Sequence, residues 1–452
     1  MNEWFQAEQR VERAQHLFES GHYLKAAEEL RSAIAVNPYN SSWHFNLALT
    51  MDALGFYEQA VRAYRQALEL DPDDPDVLNG LGVDLTRLRR YRSALDCFER
   101  IEHDDPTYEP SYCNRIVTYT EMGDHDQAET MFYLARQVKD ECSLCLYNIA
   151  NSLYERREFR RALACLSRAL ELDPQQPQVH ARMAEIHWSM GQLHKAREHY
   201  LAEIRHGPED VDTLLDFGEL LMERGEYDEA AETYRRVLEG LPDHVGAHFG
   251  LGELALRRKL LDVAEKQFRL VLRMDRRYPG AHQRLGEVML RTGRIRQAGV
   301  HLLAELRHAG DEPQALLELG QLLLEAGKVK HAHGLLRKLV ALQPNSPHAM
   351  HSLAVSYFFL HDLEGGILHC RKALKLKPDY SLALYNLALA HMQKGQLARA
   401  RRYAAKAVAA APADENIRAQ AGRLGIVGFW TNFKHRLLIG AGGLARRGRQ
   451  QN

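Results

Sequence analysis

The sequence predicts an all-α protein: an α-solenoid of about twelve helix-turn-helix repeats, finished by a C-terminal capping helix. Three columns of residues predict it. Alanine recurs every 34 residues at Ala26, Ala60, Ala94, Ala128, Ala162, Ala196, Ala230, Ala264, Ala298 and Ala332; Gly366 takes the place once, and Ala400 resumes it. A second small column runs through Ala14, Ala48, Gly82, Ala150, Ala184, Gly218, Gly252, Gly286, Gly320, Ala354 and Ala388, broken at Ile116. Proline closes most repeats, at Pro38, Pro72, Pro106, Pro174, Pro208, Pro242, Pro344, Pro378 and Pro412. Self-similarity at one fixed period is the mark of stacked supersecondary units.

The chain divides into a lead-in over residues 1–6, a repeat array over 7–414 and a different segment over 415–452. Each repeat reads as two helices. In the seventh, Leu214, Phe217 and Leu221 mark the apolar stripe of the first helix and Tyr227, Ala230, Tyr234 and Val237 that of the second. Gly225 stands at the break, where it tolerates the positive φ that closes the first helix. The small columns mark the closest approach of the paired helices, because a larger side chain there would force them apart. The proline ends the second helix before the next repeat begins.

These features closely resemble the tetratricopeptide repeat (TPR) family, over residues 7–414 and without an insertion. The resemblance implies a right-handed superhelix whose inner groove is lined by the first helix of each pair. The fourth repeat departs from the pattern, with Arg115 and Ile116 replacing the usual apolar–small pair. Prolines are missing at Asp140, Arg276 and Gly310, and local looseness is expected at those joints.

Composition sets outer bounds. A hydrophobic fraction of 45% and a charged fraction of 26% are those of a folded soluble chain. A net charge of −1 gives no general attraction for nucleic acid. The start lacks a basic segment followed by an apolar run, and no run of apolar residues is long enough to span a membrane. Six cysteines without dense spacing suggest free thiols, a reducing compartment and a cytoplasmic address.

The stretch "VDTLLDFGELLMERG" carries Asp212, Asp216, Glu219 and Glu223 at spacings of four, three and four, which place all four carboxylates on one helical stripe. The column of Glu219 is acidic through Glu185, Glu253 and Glu287. By the resemblance this face lines the groove, where a negative stripe suits a basic peptide segment. Arg182, Arg257, Arg284 and Arg291 stand three or four residues from Glu185, Glu253 and Glu287 and neutralise part of it; the seventh repeat has no such partner on its own helix. Asn46, Asn114, Asn148 and Asn386 form a second column whose amides can hold an extended peptide backbone. Aromatics at Phe45, Tyr147, Tyr154, Trp188, Phe249, Phe358 and Tyr385 are either groove anchors or packing between repeats. Family members that clamp a C-terminal carboxylate use lysine and arginine around such asparagines. Around Asn114 the flanking places hold Asn79, Val83, Leu144 and Asn148, so no carboxylate clamp is expected.

Several constellations imitate chemistry. Cys142 and Cys145 make a CxxC, but a structural zinc needs two more ligands, and only Cys113 or Cys165 can approach. His180, His187, His194, His199 and His206 cluster without a ligand motif and read as seam residues. Gly440, Gly442 and Ala445 imitate a dinucleotide fingerprint that lacks its βαβ unit. No metal, no cofactor and no catalytic residue is expected.

After Pro412 the period stops and the composition turns basic. Ile426, Trp430, Phe433 and Leu437 follow helical spacing, accompanied by Lys434 and Arg436 and followed by Arg446, Arg447 and Arg449. This amphipathic basic helix reads either as a cap on the last repeat or as an anchor to an anionic membrane or acidic partner. The expected function is a non-enzymatic scaffold or adaptor that binds a peptide segment, basic in character, in its groove. A peripheral membrane adaptor using the tail is the alternative, self-association remains open, and no nucleic acid is expected.

Overall fold

The structure is a computed structural model that describes residues 2–206, 210–415 and 417–419. The described residues form twenty-four α-helices, from α1 (Asn2–Glu19) to α24 (Leu397–Ala410), and no strand. The chain divides into two compact units, Met1–Leu220 and Leu221–Asn452, and the division falls within α13 (Val211–Arg224). Within each unit, successive helices pair as antiparallel hairpins and each hairpin packs on the next.

The third repeat shows how residues become elements. Asp74 caps α5 (Pro75–Arg87), its carboxylate accepting from the backbone N–H groups of Asp76 and Val77 at 2.9 and 3.2 Å. Pro75 fills the first helical position, where no N–H is missed. On α6 (Tyr91–Asp104) the four-and-three spacing of Ala94, Phe98 and Ile101 buries all three. A Cβ built on Gly82 of α5 would meet the Phe98 ring at 2.5 Å, so the small column is steric. In the second unit Gly252 stands in the same relation to Phe268, at 2.6 Å.

The turn inside every hairpin carries a left-handed residue at the same register. Eight of these are glycine, while Arg89 (φ 58°), Arg157 (60°), Lys259 (63°) and His361 (66°) take the conformation without glycine's freedom.

The core of the first unit runs through Tyr64, Leu85 and Phe98 to Ile116, Leu166 and Ile186. That of the second runs through Phe268 and Val288, then Leu319 and Leu336, then Phe358 and Tyr385. The irregular fourth repeat is accommodated: α7 (Glu109–Met122) is unbroken, Ile116 is fully buried, and buried Arg115 is ion-paired with Glu102.

One expectation is corrected. The cysteines are not all free thiols, because Cys113 and Cys145 are joined in a disulfide, with Cα atoms 5.1 Å apart. Stacking lays α7 beside α9 (Ser143–Glu155), so residues 32 apart in sequence become neighbours. Cys97, Cys142, Cys165 and Cys370 are free.

Ile417 is fully buried in the same cluster as Ala407 of α24. The tail residues Trp430, Phe433, Lys434, Arg436, Arg446, Arg447 and Arg449 lie outside the described residues. Among the described residues no helix is long and apolar enough to cross a membrane.

Candidate functional site

In a stack of 34-residue repeats, residues of one column become lateral neighbours on successive first helices. In the first unit this gathers Tyr154 of α9, Glu185 and Trp188 of α11 (Val179–Ser189), Tyr200 of α12 (Leu193–His206) and Asp216 of α13 around one concavity of about 480 Å³. Tyr154 and Trp188 share a column, as do Arg182 and Asp216. Within one column, then, the charge reverses from one helix to the next.

Arg182 is the internal cation of this site. It is ion-paired with Glu185, and its guanidinium stands 5.5 Å from the centre of the Tyr154 ring. The Tyr154 hydroxyl and Ser189 Oγ are 3.1 Å apart, which fixes one rim. With both carboxyls ionised, two carboxylates against the Arg182 guanidinium give these three groups one negative charge in excess. Burial raises the Glu185 carboxyl above its ordinary range, Arg182 opposes the rise, and Asp216 adds to it. Burial likewise raises Asp216, with Asp212 adding to it and Arg182 opposing it.

Tyr200 belongs to a column held by Tyr64, Phe98, Phe132, Leu166, Tyr234 and Phe268 elsewhere, so its position alone marks it as core. It is fully buried, packs on Phe217 with ring centroids 5.9 Å apart, and its hydroxyl has no hydrogen-bond partner among the described residues. Burial pushes the phenol pKa up, and the Asp216 and Glu185 charges push it further. Reading the column as apolar packing missed this residue, and the column offered no signal of its own, since Tyr64 and Tyr234 carry the same hydroxyl at the same register.

The remaining candidates divide by environment. Asp212 and Glu219 are exposed on α13 in the first unit, and Glu223 is exposed in the second. In the second unit Arg284 of α17 (Ala281–Arg291) reaches Glu253 at 2.6 Å, Glu287 at 3.2 Å and Glu318 at 3.5 Å, and Arg291 also pairs with Glu287. Burial opposes the charge on Arg284, but its three carboxylates hold it protonated. Glu253 and Glu287 are therefore engaged within the stack.

The asparagine column is also largely turned to the stack. Asn148 is buried and donates to the Cys113 carbonyl at 3.2 Å; Asn386, fully buried, donates to His351 Nε2 at 2.9 Å. Their amides cross-link successive repeats instead of facing a groove. Asn114 donates to Asn79 Oδ1 at 2.9 Å and is half-buried, as is Asn46. Phe358 and Tyr385 are core residues, and Phe249 packs between Phe268 and Tyr278. His180 and His187 both pack on His199, whose pKa burial and those neighbours lower to about 4. They are seam residues.

A profile described as "Tetratricopeptide repeat" matches residues 11–50, 147–211, 215–282, 284–347 and 351–415, together more than half of the chain, and a second, "TPR repeat", matches 53–83. Among curated proteins, the BBSome complex member BBS4 of Bos taurus is 25% identical over 202 residues, 44% of this chain and 37% of that relative. The chain thus matches well under half of that protein's length. Among solved structures, the Cut9–Hcn1 hetero-tetramer of the APC/C aligns over 91% of this chain and 95% of its own, with 16% identity and a TM-score of 0.46. Yeast Tom70 aligns over 92% and 99%, with 15% identity and a TM-score of 0.47.

Proposed function

Since the chain belongs to the tetratricopeptide repeat family, whose stacked helix pairs serve as general protein–protein interaction scaffolds, we propose that it is a non-enzymatic scaffold whose first unit seats a basic side chain of a partner. The guest is a lysine or arginine carried on an extended segment. One observation carries this reading: Glu185 and Asp216 share a concavity with the rings of Tyr154, Trp188 and Tyr200, and Arg182 balances only one of the two charges. A single incoming cation completes the balance, and flanking rings favour cations over neutral groups. The exposed Asp212 extends the negative surface along α13 and would attract a basic segment before it docks. Glu253 and Glu287 are left out of the site because Arg284 already holds them.

The test is a random-peptide display selection on the full chain, run in parallel with the Glu185→Gln/Asp216→Asn variant. Lysine or arginine at one fixed position should be enriched only with the natural protein. Selected peptides should bind the variant at least ~30-fold more weakly, as expected when a desolvated charge pair loses one partner. Enrichment of neutral or acidic peptides, or equal binding to both proteins, would overturn the proposal.

A further inference from the structure

A second site lies in the first unit, away from the acidic concavity. Glu109 and Cys113 stand four apart on one face of α7, and Cys142 and Cys145 stand at the start of α9, with Cys142 as the N-cap residue. One carboxylate oxygen and three sulfurs from these residues all lie within 4.8 Å of one another. Glu109 Oε1 is 3.0 Å from Cys113 Sγ and 3.1 Å from Cys145 Sγ, and Cys113 Sγ is 3.8 Å from Cys142 Sγ. Cys113 and Cys145 are 1% exposed, while Glu109 and Cys142 are half-buried.

We propose that in its thiol form this cluster binds one Zn²⁺ through Cys113, Cys142, Cys145 and Glu109. Four donors are what a closed tetrahedral site requires, and sulfur with one carboxylate oxygen suits zinc. A Zn–S bond of about 2.3 Å places sulfurs at a tetrahedral edge roughly 3.8 Å apart, the separation of Cys113 and Cys142. The Cys145 backbone N–H donates to Cys142 Sγ at 3.3 Å, the outer-shell bond that orients a thiolate ligand.

In the disulfide form Cys113 and Cys145 carry no proton, and the Cys142 thiol is the sulfur that hydrogen-bonds Glu109; in the thiol form a cation among the four donors would engage all of them at once. Access exists through a cavity of about 260 Å³ that reaches Cys142 and Cys145; its charged lining is mixed, with Arg136 paired to Asp140, Arg168 paired to Glu141, and Lys139 beside them.

A phosphine supplies the two electrons that open the disulfide. Phosphine and one water convert the disulfide to two thiols and leave phosphine oxide. Zn²⁺ then displaces one proton from each of three thiols to the buffer.

The full chain should be reduced with a phosphine under nitrogen, incubated with ZnCl₂, desalted and analysed for metal, with CoCl₂ as a parallel spectroscopic probe. One zinc per chain should remain bound, and Co²⁺ should show the intense visible bands of a tetrahedral site with sulfur-to-cobalt charge transfer. Cys113→Ser and Cys142→Ser should not retain the metal. Glu109→Gln should bind at least the ~10–100-fold more weakly that even outer-shell changes cost. Cys165→Ser, a free cysteine outside the cluster, should behave as the natural protein. A reduced natural protein that keeps no zinc, or an octahedral cobalt spectrum, overturns the proposal. Both readings use the unmutated chain, so a variant that fails to fold cannot obscure the result.

Discussion

The Asn386 side chain donates to His351 Nε2 across 2.9 Å, joining α23 (Ser381–Gln393) to α21 (Pro347–Phe359) one repeat earlier, with both residues buried. A ring nitrogen that accepts is neutral. Burial, and next the neighbouring His348, depress the His351 pKa to about 3. An unfolded histidine titrates near ~6.5. Between those values the unfolded chain holds a proton that the native one does not, so stability is present above the upper value and is lost as pH falls. Equilibrium urea unfolding should show the second unit weaker at pH 5 than at pH 7 by ~1–2 kcal/mol from this residue. His351→Gln offers Asn386 an oxygen acceptor that does not titrate and should remove that increment. An unchanged increment in the variant would locate the acid sensitivity elsewhere.

The same pair shows what the sequence conveys and where it stops. A strict period exposes helix pairs, turns and small columns, because each depends on local spacing and on contacts repeated in every unit. It does not say which neighbour a polar side chain in a given column selects. Asn148 and Asn386 look like groove amides by position, yet turn back on the preceding repeat. Glu185 and Asp216 meet across 31 residues, and Cys113 and Cys145 across 32, through stacking that no local pattern encodes. Neutralisation of Glu253 was partly legible from basic residues on neighbouring turns, but Arg284 reaching three helices at once was not.

The left-handed turn residues support a stability prediction. Arg89, Arg157, Lys259 and His361 hold φ values of 58–66°. A side chain in this region costs ~1–2 kcal/mol, while glycine costs ~0.4–1 kcal/mol by loosening the unfolded chain. Replacing each by glycine should therefore stabilise by roughly 0.5–1 kcal/mol, read as a higher urea midpoint at constant slope. Gly225→Ala should act in the opposite direction; its φ is 80° and a Cβ would meet nothing within 4 Å, so backbone strain alone sets the cost. A lower midpoint for Arg89→Gly would indicate that its side chain contributes more than its backbone loses.

Asp84 offers a test of the opposite sign. It is 1% exposed, ion-paired with Arg87 at 3.1 Å, and its Oδ2 has no hydrogen-bond partner among the described residues. Burial, then the Asp52 charge, raise its pKa well above the carboxylate range. Above the unfolded value near ~3.9 the native state keeps a proton that the unfolded state has released, so this group loses stability as pH rises toward its folded pKa. Asp84→Asn preserves the neutral form and should be more stable than the natural protein at pH 8 by ~1–3 kcal/mol, with the gap narrowing at pH 5. Denaturant midpoints at the two pH values decide it, and a variant weaker at pH 8 refutes it.

The acidic concavity joins titration to recognition. Glu185 and Asp216 both have raised pKa values, principally from burial, so each ionises at a higher pH than an ordinary carboxyl. A basic guest needs both ionised, because neutralising either one leaves only the charge that Arg182 already balances. Affinity for a lysine- or arginine-bearing peptide should therefore rise with pH and level off only above the usual carboxylate range, a shift visible in fluorescence anisotropy titrations. Glu185→Gln and Asp216→Asn should each lower the plateau affinity and flatten the pH profile. Trp188→Ala should lower affinity at every pH while leaving the profile's shape intact, since the ring contributes contact and cation–π attraction, ~1–2 kcal/mol together, without titrating. An affinity that does not change with pH, or that is unchanged in Glu185→Gln and Asp216→Asn, would place the charge selection outside this concavity.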